Sequence, residues 1–178
     1  MLLLVTNAFS QDKLRHGIDL YRSGDYKAAA TELKPLASMA DRPGRIAATY
    51  LGASYAQLGQ AKEARTILAE AAAIGKKELS APPMTPLTSE SDTRLNVKKK
   101  PKPDFGKTIK HADEGELFVA VEFKADGTIG MVFLVSASYD DMVKPSMDAA
   151  KKIKFKPPLQ DGKPVTVVKL VQYNFYTD

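Results

Sequence analysis

Two stretches of this chain repeat one another at a spacing of 35 residues. Gly17, Gly24, Ala29 and Leu33 in the first fall against Gly52, Gly59, Ala64 and Leu68 in the second. Small residues at fixed offsets in a repeat of that length mean that each copy is one supersecondary unit, with an apolar face that its neighbour must cover. The spacing within each copy is helical. Leu14, Ile18 and Tyr21 recur at three and four residues, Ser23-Gly24-Asp25 interrupts, and Tyr26, Ala29, Leu33 and Leu36 resume. Pro35 falls inside that second run and is expected to bend or loosen it. The pattern returns from Ile46 to Gly75. Helical hairpins over residues 12–75 are the expected fold of the first half.

In such hairpins the small residues let antiparallel helices approach, and the larger ones fill the space between repeats. The second copy carries Leu51-Gly52, Tyr55, Gly59, Ala64, Leu68 and Ala71 at the spacing this requires. On those residues, segment 12–75 resembles two tetratricopeptide (TPR) units, the second more closely than the first. The resemblance implies a protein-interaction surface with Gly17, Gly24, Ala29, Leu33, Gly52, Tyr55, Gly59, Ala64 and Leu68 as its packing residues. A generic pair of alanine-rich hairpins is the alternative.

Residues 1–11 read as part of a signal peptide. Met1-Leu2-Leu3-Leu4-Val5 is apolar, and Ala8 and Ser10 are small residues before charged sequence begins at Asp12. A positive start and the full apolar length are missing, so an extension of the first helix is the competing reading. Residues 76–110 have linker composition, stiffened by Pro82, Pro83, Pro86, Pro101 and Pro103. A short strand near Thr93–Val97 is compatible with it. Lys98-Lys99-Lys100 and Lys102 could touch an anionic membrane surface, although a solvated spacer explains them as well.

The last third alternates with period two. Leu117, Val119, Val121 and Phe123 alternate with Glu116, Phe118, Ala120 and Glu122, and Ile129, Met131, Phe133 and Val135 form a returning strand. Between them Asp126-Gly127-Thr128 reads as a hairpin turn. Asp140 or Asp141 is expected to cap a helix that begins by Met142 and carries Met147, Ala150 and Ile153 on one side, with Pro157-Pro158 ending it. Asp161-Gly162 then turns the chain into a final strand from Val165 to about Phe175. The fold class expected is multidomain, α followed by α+β: TPR-like hairpins, then a small antiparallel sheet (β-β-α-β) with a helix on one face.

Phe155-Lys156-Pro157, Asp161-Gly162-Lys163-Pro164-Val165 and a last strand ending in Phe175, behind the Asp126-Gly127-Thr128-Ile129 hairpin, resemble the carboxy-terminal domain of TonB, the periplasmic energy transducer. The resemblance sets a domain at residues 111–178. It implies binding of a short peptide from the amino terminus of an outer-membrane transporter, by strand addition beside the last strand. Carried to this chain, the residues are Val167, Lys169, Val171, Gln172, Tyr173, Asn174 and Phe175, with Gln172, Tyr173 and Asn174 the central ones. Transducers of the family have an amino-terminal membrane helix where this chain has helical repeats. The role expected is therefore a periplasmic adaptor that binds that peptide or another envelope protein, with membrane association weak or through the partner. A TonB-type transducer in transmembrane transport, its anchor missing or supplied in trans, is one alternative. A structural scaffold that forms homodimers through the sheet edge is another.

Little in the sequence supports catalysis. There is no cysteine, and His16 and His111 stand far apart with no metal-ligand spacing. His111 has only Asp113 beside it, Asp140 and Asp141 are consecutive rather than paired, and Ser136 and Ser138 have no base nearby in sequence. No enzyme activity and no cofactor are expected. The net charge of +5 is mild, with eight residues of each sign in 115–178, so nucleic acid is not an expected partner.

Overall fold

The computed structural model describes residues 2–79, 94–105 and 114–176, with backbone alone at 2–10, 76–79 and 176. It divides into two compact units, Met1–Asp92 and Thr93–Asp178.

The first unit contains α1 (Leu2–Arg22), α2 (Tyr26–Ala37), α3 (Arg42–Gln57) and α4 (Ala61–Leu79). The 35-residue correspondence is physical. At the end of α1, Gly24 N–H bonds to Tyr21 O and Asp25 N–H to Leu20 O; at the end of α3, Gly59 N–H bonds to Ala56 O and Gln60 N–H to Tyr55 O. Each pair closes a helix around a glycine in the left-handed region, at φ +88 and +78. A Cβ on either glycine would meet nothing within 4 Å, so Gly24 and Gly59 serve the turn and not the packing. Gly17 and Gly52 do serve the packing: a Cβ there would lie 2.6 Å from Leu33 Cδ2 and 2.5 Å from Leu68 Cγ. Ala29, Leu33, Ala64 and Leu68 are fully buried, while Tyr55 is half-buried. Tyr21 sets its ring edge-on to Tyr26 at 5.3 Å and to Tyr50 at 5.4 Å.

Pro35 lies in the last turn of α2. Asp25 and Asp41 cap α2 and α3, their carboxylates accepting from Ala28 N–H at 3.0 Å and Gly44 N–H at 2.9 Å. Asp41→Ala is expected to lower the midpoint of thermal unfolding in proportion to a loss of about 1 kcal/mol. The backbone of residues 2–10 belongs to α1 without a break.

The second unit contains β1 (Asn96–Lys99), β2 (Glu114–Phe123), β3 (Ile129–Ala137), a 3-10 turn (Asp140–Met142), α5 (Val143–Ala150), β4 (Lys154–Lys156), β5 (Leu159–Gln160), β6 (Lys163–Pro164) and β7 (Val167–Tyr176). Its main sheet is antiparallel in the order β3-β2-β7, with β1-β4 and β5-β6 as separate pairs. Leu117, Val119, Val121 and Phe123 from β2 join Val167 and Tyr173 from β7, Met142 from the 3-10 turn, Ala149 and Ala150 from α5, and Ile153 just beyond it in one buried cluster. Phe155 stands edge-on to Phe123 at 4.9 Å. In the hairpin between β2 and β3, Gly127 takes φ +85 and Asp126 accepts from both the amide and the hydroxyl of Thr128. Those two bonds hold the Asp126 carboxyl below its ordinary value.

Two expectations change. The helix expected over Met142–Ile153 is the shorter α5, preceded by a 3-10 turn, and no side chain caps either one; Asp140 and Asp141 lie inside the turn, with Tyr139 before it. Lys154, expected on that helix, is on β4, opposite Lys99 of β1. The short strand expected near Thr93–Val97 overlaps β1, and from residues 94–105 Leu95 and Phe105 pack against the core.

Candidate functional site: the outer edge of the last strand

Among the described strands, β7 has β2 on one side and no strand on the other, and β3 is the opposite edge. The two edges differ. Between Phe118↔Ser136 and Val119↔Leu134 the chain advances one residue on β2 and two on β3; between Val121↔Val132 and Phe123↔Ile129 it advances two and three. Both extra residues are on β3, which therefore carries two bulges, a feature that twists an edge away from further pairing. β7 keeps an unbroken register of ten pairs, from Glu114↔Tyr176 to Phe123↔Val167.

The register also fixes which backbone groups face outward. In an antiparallel ladder the N–H and C=O of one residue point to the same edge, and those of the next residue to the other. Glu116 of β2 accepts from Ser138 N–H at 2.9 Å and donates its own amide to Ser138 Oγ at 3.1 Å, so it faces the β3 side. Leu117, Val119 and Val121 face β7, and their partners are Tyr173, Val171 and Lys169. On β7 the odd-numbered residues are thus turned to β2, and Val168, Leu170, Gln172 and Asn174 are turned outward. A second contact agrees: Lys100 Nζ donates to Gln172 O at 2.5 Å from outside the sheet.

The seven residues expected to form the site all lie on β7. Gln172 and Asn174 have outward backbone groups, whereas those of Val167, Lys169, Val171, Tyr173 and Phe175 are used toward β2. The side chains of Val167 and Tyr173 are buried in the core, with Val171 and Phe175 packed against it. Gln172 Nε2 donates to Glu116 Oε2 at 3.1 Å, and Asn174 is exposed. Sequence reasoning did not reach Val168 and Leu170, because the outward set depends on register. Nor did it single out Lys100 and Phe105 as neighbours of this strand; their only signal is a cation and an aromatic residue inside a proline-rich run.

Lys100 Nζ also lies 4.6 Å from the centre of the Tyr173 ring. Burial pushes the Lys100 ammonium below the ordinary lysine value and the Tyr173 hydroxyl up to about 12. Tyr173 is 3% exposed, and its hydroxyl has no hydrogen-bond partner among the described residues. The folded domain therefore holds the tyrosine proton more tightly than the unfolded chain does. That contribution is complete below the unfolded value of 10 and is lost as pH rises from 10 toward about 12. In urea titrations, the wild type is expected to lose on the order of 1–2 kcal/mol more than Tyr173→Phe across that interval. Below pH 10 the variant is expected to equal or exceed wild type by up to about 1 kcal/mol, since no bond is lost with the hydroxyl.

Elsewhere His16 Nδ1 stands 3.6 Å from Glu32 Oε1. Ser138 is engaged with Glu116, and Ser136, Asp140 and Asp141 are exposed. His111 and Asp113 lie outside the described residues. Among the described residues, no three His, Asp or Glu side chains gather as a metal site would require, and no helix is long and apolar enough to cross a membrane.

Residues 107–177 match the family model for the Gram-negative bacterial TonB protein C-terminal. The match identifies the second unit as a TonB C-terminal domain, a non-catalytic interaction module of the periplasm and cell envelope. No curated protein matches the chain.

Proposed function

We propose that the second unit captures an extended segment of an envelope protein by strand addition at the outer edge of β7, and that the chain serves TonB-type energy-coupled transport through an outer-membrane transporter. The observation that carries this reading is the unbulged ten-residue register of β7, which leaves a regular edge on the side of the sheet opposite the twice-bulged β3. An extended segment gains affinity there from main-chain hydrogen bonds to the outward groups of Leu170, Gln172 and Asn174. Side chains tune the choice of segment, and none carries the pairing.

The repeated hairpins support a second reading, an exported adaptor in which TPR-like α1–α4 hold another protein. Deleting the gene and measuring uptake of a transporter's substrate separates the two. Lost uptake supports the transducer; normal uptake, with an envelope partner still recovered by the first unit, supports the adaptor.

A further inference from the structure

We propose that residues 100–105 are a built-in latch on the β7 edge, so that an incoming segment pairs beyond Leu170 only after Lys100 and Phe105 let go. The inference rests on the strand-addition reading above.

The strap is fixed at both ends. Lys99, the last paired residue of β1, is opposite Lys154, so the backbone entering Lys100 is held by the β1-β4 pair. Five residues on, Phe105 sets its ring perpendicular to Phe175 at 5.4 Å. Between these anchors Lys100 Nζ crosses to Gln172 O, one of the carbonyls that an added strand would need. The ammonium covers the neighbouring Tyr173 ring as well. The three contacts fall on Gln172, Tyr173 and Phe175.

The strap is suited to leaving. Pro101 and Pro103 have no N–H to give a ladder. An ammonium on an edge carbonyl is also a common means of keeping an exposed strand from pairing indiscriminately. Partial burial makes the charged form of Lys100 less comfortable there than in water, which favours exchange for a backbone N–H. Entry is then expected to begin at Leu170 and to proceed toward Asn174 as the latch opens.

The test uses the full chain in three forms: wild type, Lys100→Met, which keeps the apolar stem without the donor, and the pair Phe105→Cys with Phe175→Cys. No other thiol competes with that pair, because the chain has no cysteine of its own, and its oxidation is checked by free-thiol titration before binding is measured. Synthetic peptides copied from the amino termini of outer-membrane transporters of the same genome are titrated against each form by amide NMR. Lys100→Met is expected to bind about tenfold more tightly than wild type, and the oxidised cysteine pair at least about tenfold more weakly than its reduced state (about 1.4 kcal/mol each). Equal or weaker binding by Lys100→Met, or equal binding by the oxidised and reduced pair, overturns the latch. If no peptide binds any form, the strand-addition reading fails, and amide exchange at Gln172–Phe175 decides the latch separately. Faster exchange in Lys100→Met keeps it, and unchanged exchange removes it.

Discussion

Gly52→Ala is expected to destabilise the helical unit by about 1–2 kcal/mol, although the same change at an exposed helical site would help. Two effects oppose each other. Replacing a mid-helix glycine gains about 1 kcal/mol in propensity. The new methyl, however, would lie 2.5 Å from Leu68 Cγ, 2.9 Å from Leu68 Cδ2 and 3.3 Å from the backbone oxygen of Ala64. Leu68 is fully buried, so it has no open space to move into. Overpacking of this kind costs up to about 3 kcal/mol, which outweighs the gain. Urea denaturation of the full chain measures the net. The paired variant Gly52→Ala with Leu68→Ala should lose less than the sum of the two single changes, because the truncated side chain makes room. A stabilised Gly52→Ala would mean that the two hairpin helices do not approach as closely as described.

Prolines at neighbouring positions of β7 are expected to have opposite consequences. Val171 is paired with Val119, and its amide is turned to β2. Val171→Pro removes that donor and leaves a buried acceptor on the central strand, at a cost of about 2–4 kcal/mol, enough to unfold much of a small domain. Leu170 turns its amide outward, where an edge strand tolerates proline. Leu170→Pro should keep the near-ultraviolet signature of the domain and lose peptide binding. Equal damage from both substitutions would contradict the parity assigned to the strand.

What was legible in the sequence follows from the length of each element. The two glycine pairs and the paired leucines carry their geometry in their spacing, so the hairpins and their turns could be anticipated from Gly17, Gly24, Gly52 and Gly59. Strands of nine or ten residues such as β2, β3 and β7 are long enough to show period two, which is why the sheet and its last strand were foreseen. β4 has three residues and β5 and β6 have two each, too few for any period. The helix was overextended because Met147, Ala150 and Ile153 share a helical spacing, although the chain leaves the helix after Ala150. The strap was hidden by composition: lysine and proline between Lys98 and Pro103 read as solvated linker, and only tertiary structure brings Lys100 to Gln172. The outward set on β7 was hidden for another reason. It follows from which residue of β2 faces which residue of β7, a property of the pair rather than of either segment.

The most direct test of strand addition is a backbone amide titration of the full chain with transporter amino-terminal peptides, read along β7. The account predicts the largest shifts at Leu170, Gln172 and Asn174, smaller ones at Lys169, Val171 and Tyr173, and new cross-strand contacts from the peptide to the outward edge. No shift anywhere in 165–175 at about 1 mM peptide, weaker than any useful affinity, or shifts confined to β3, would contradict it.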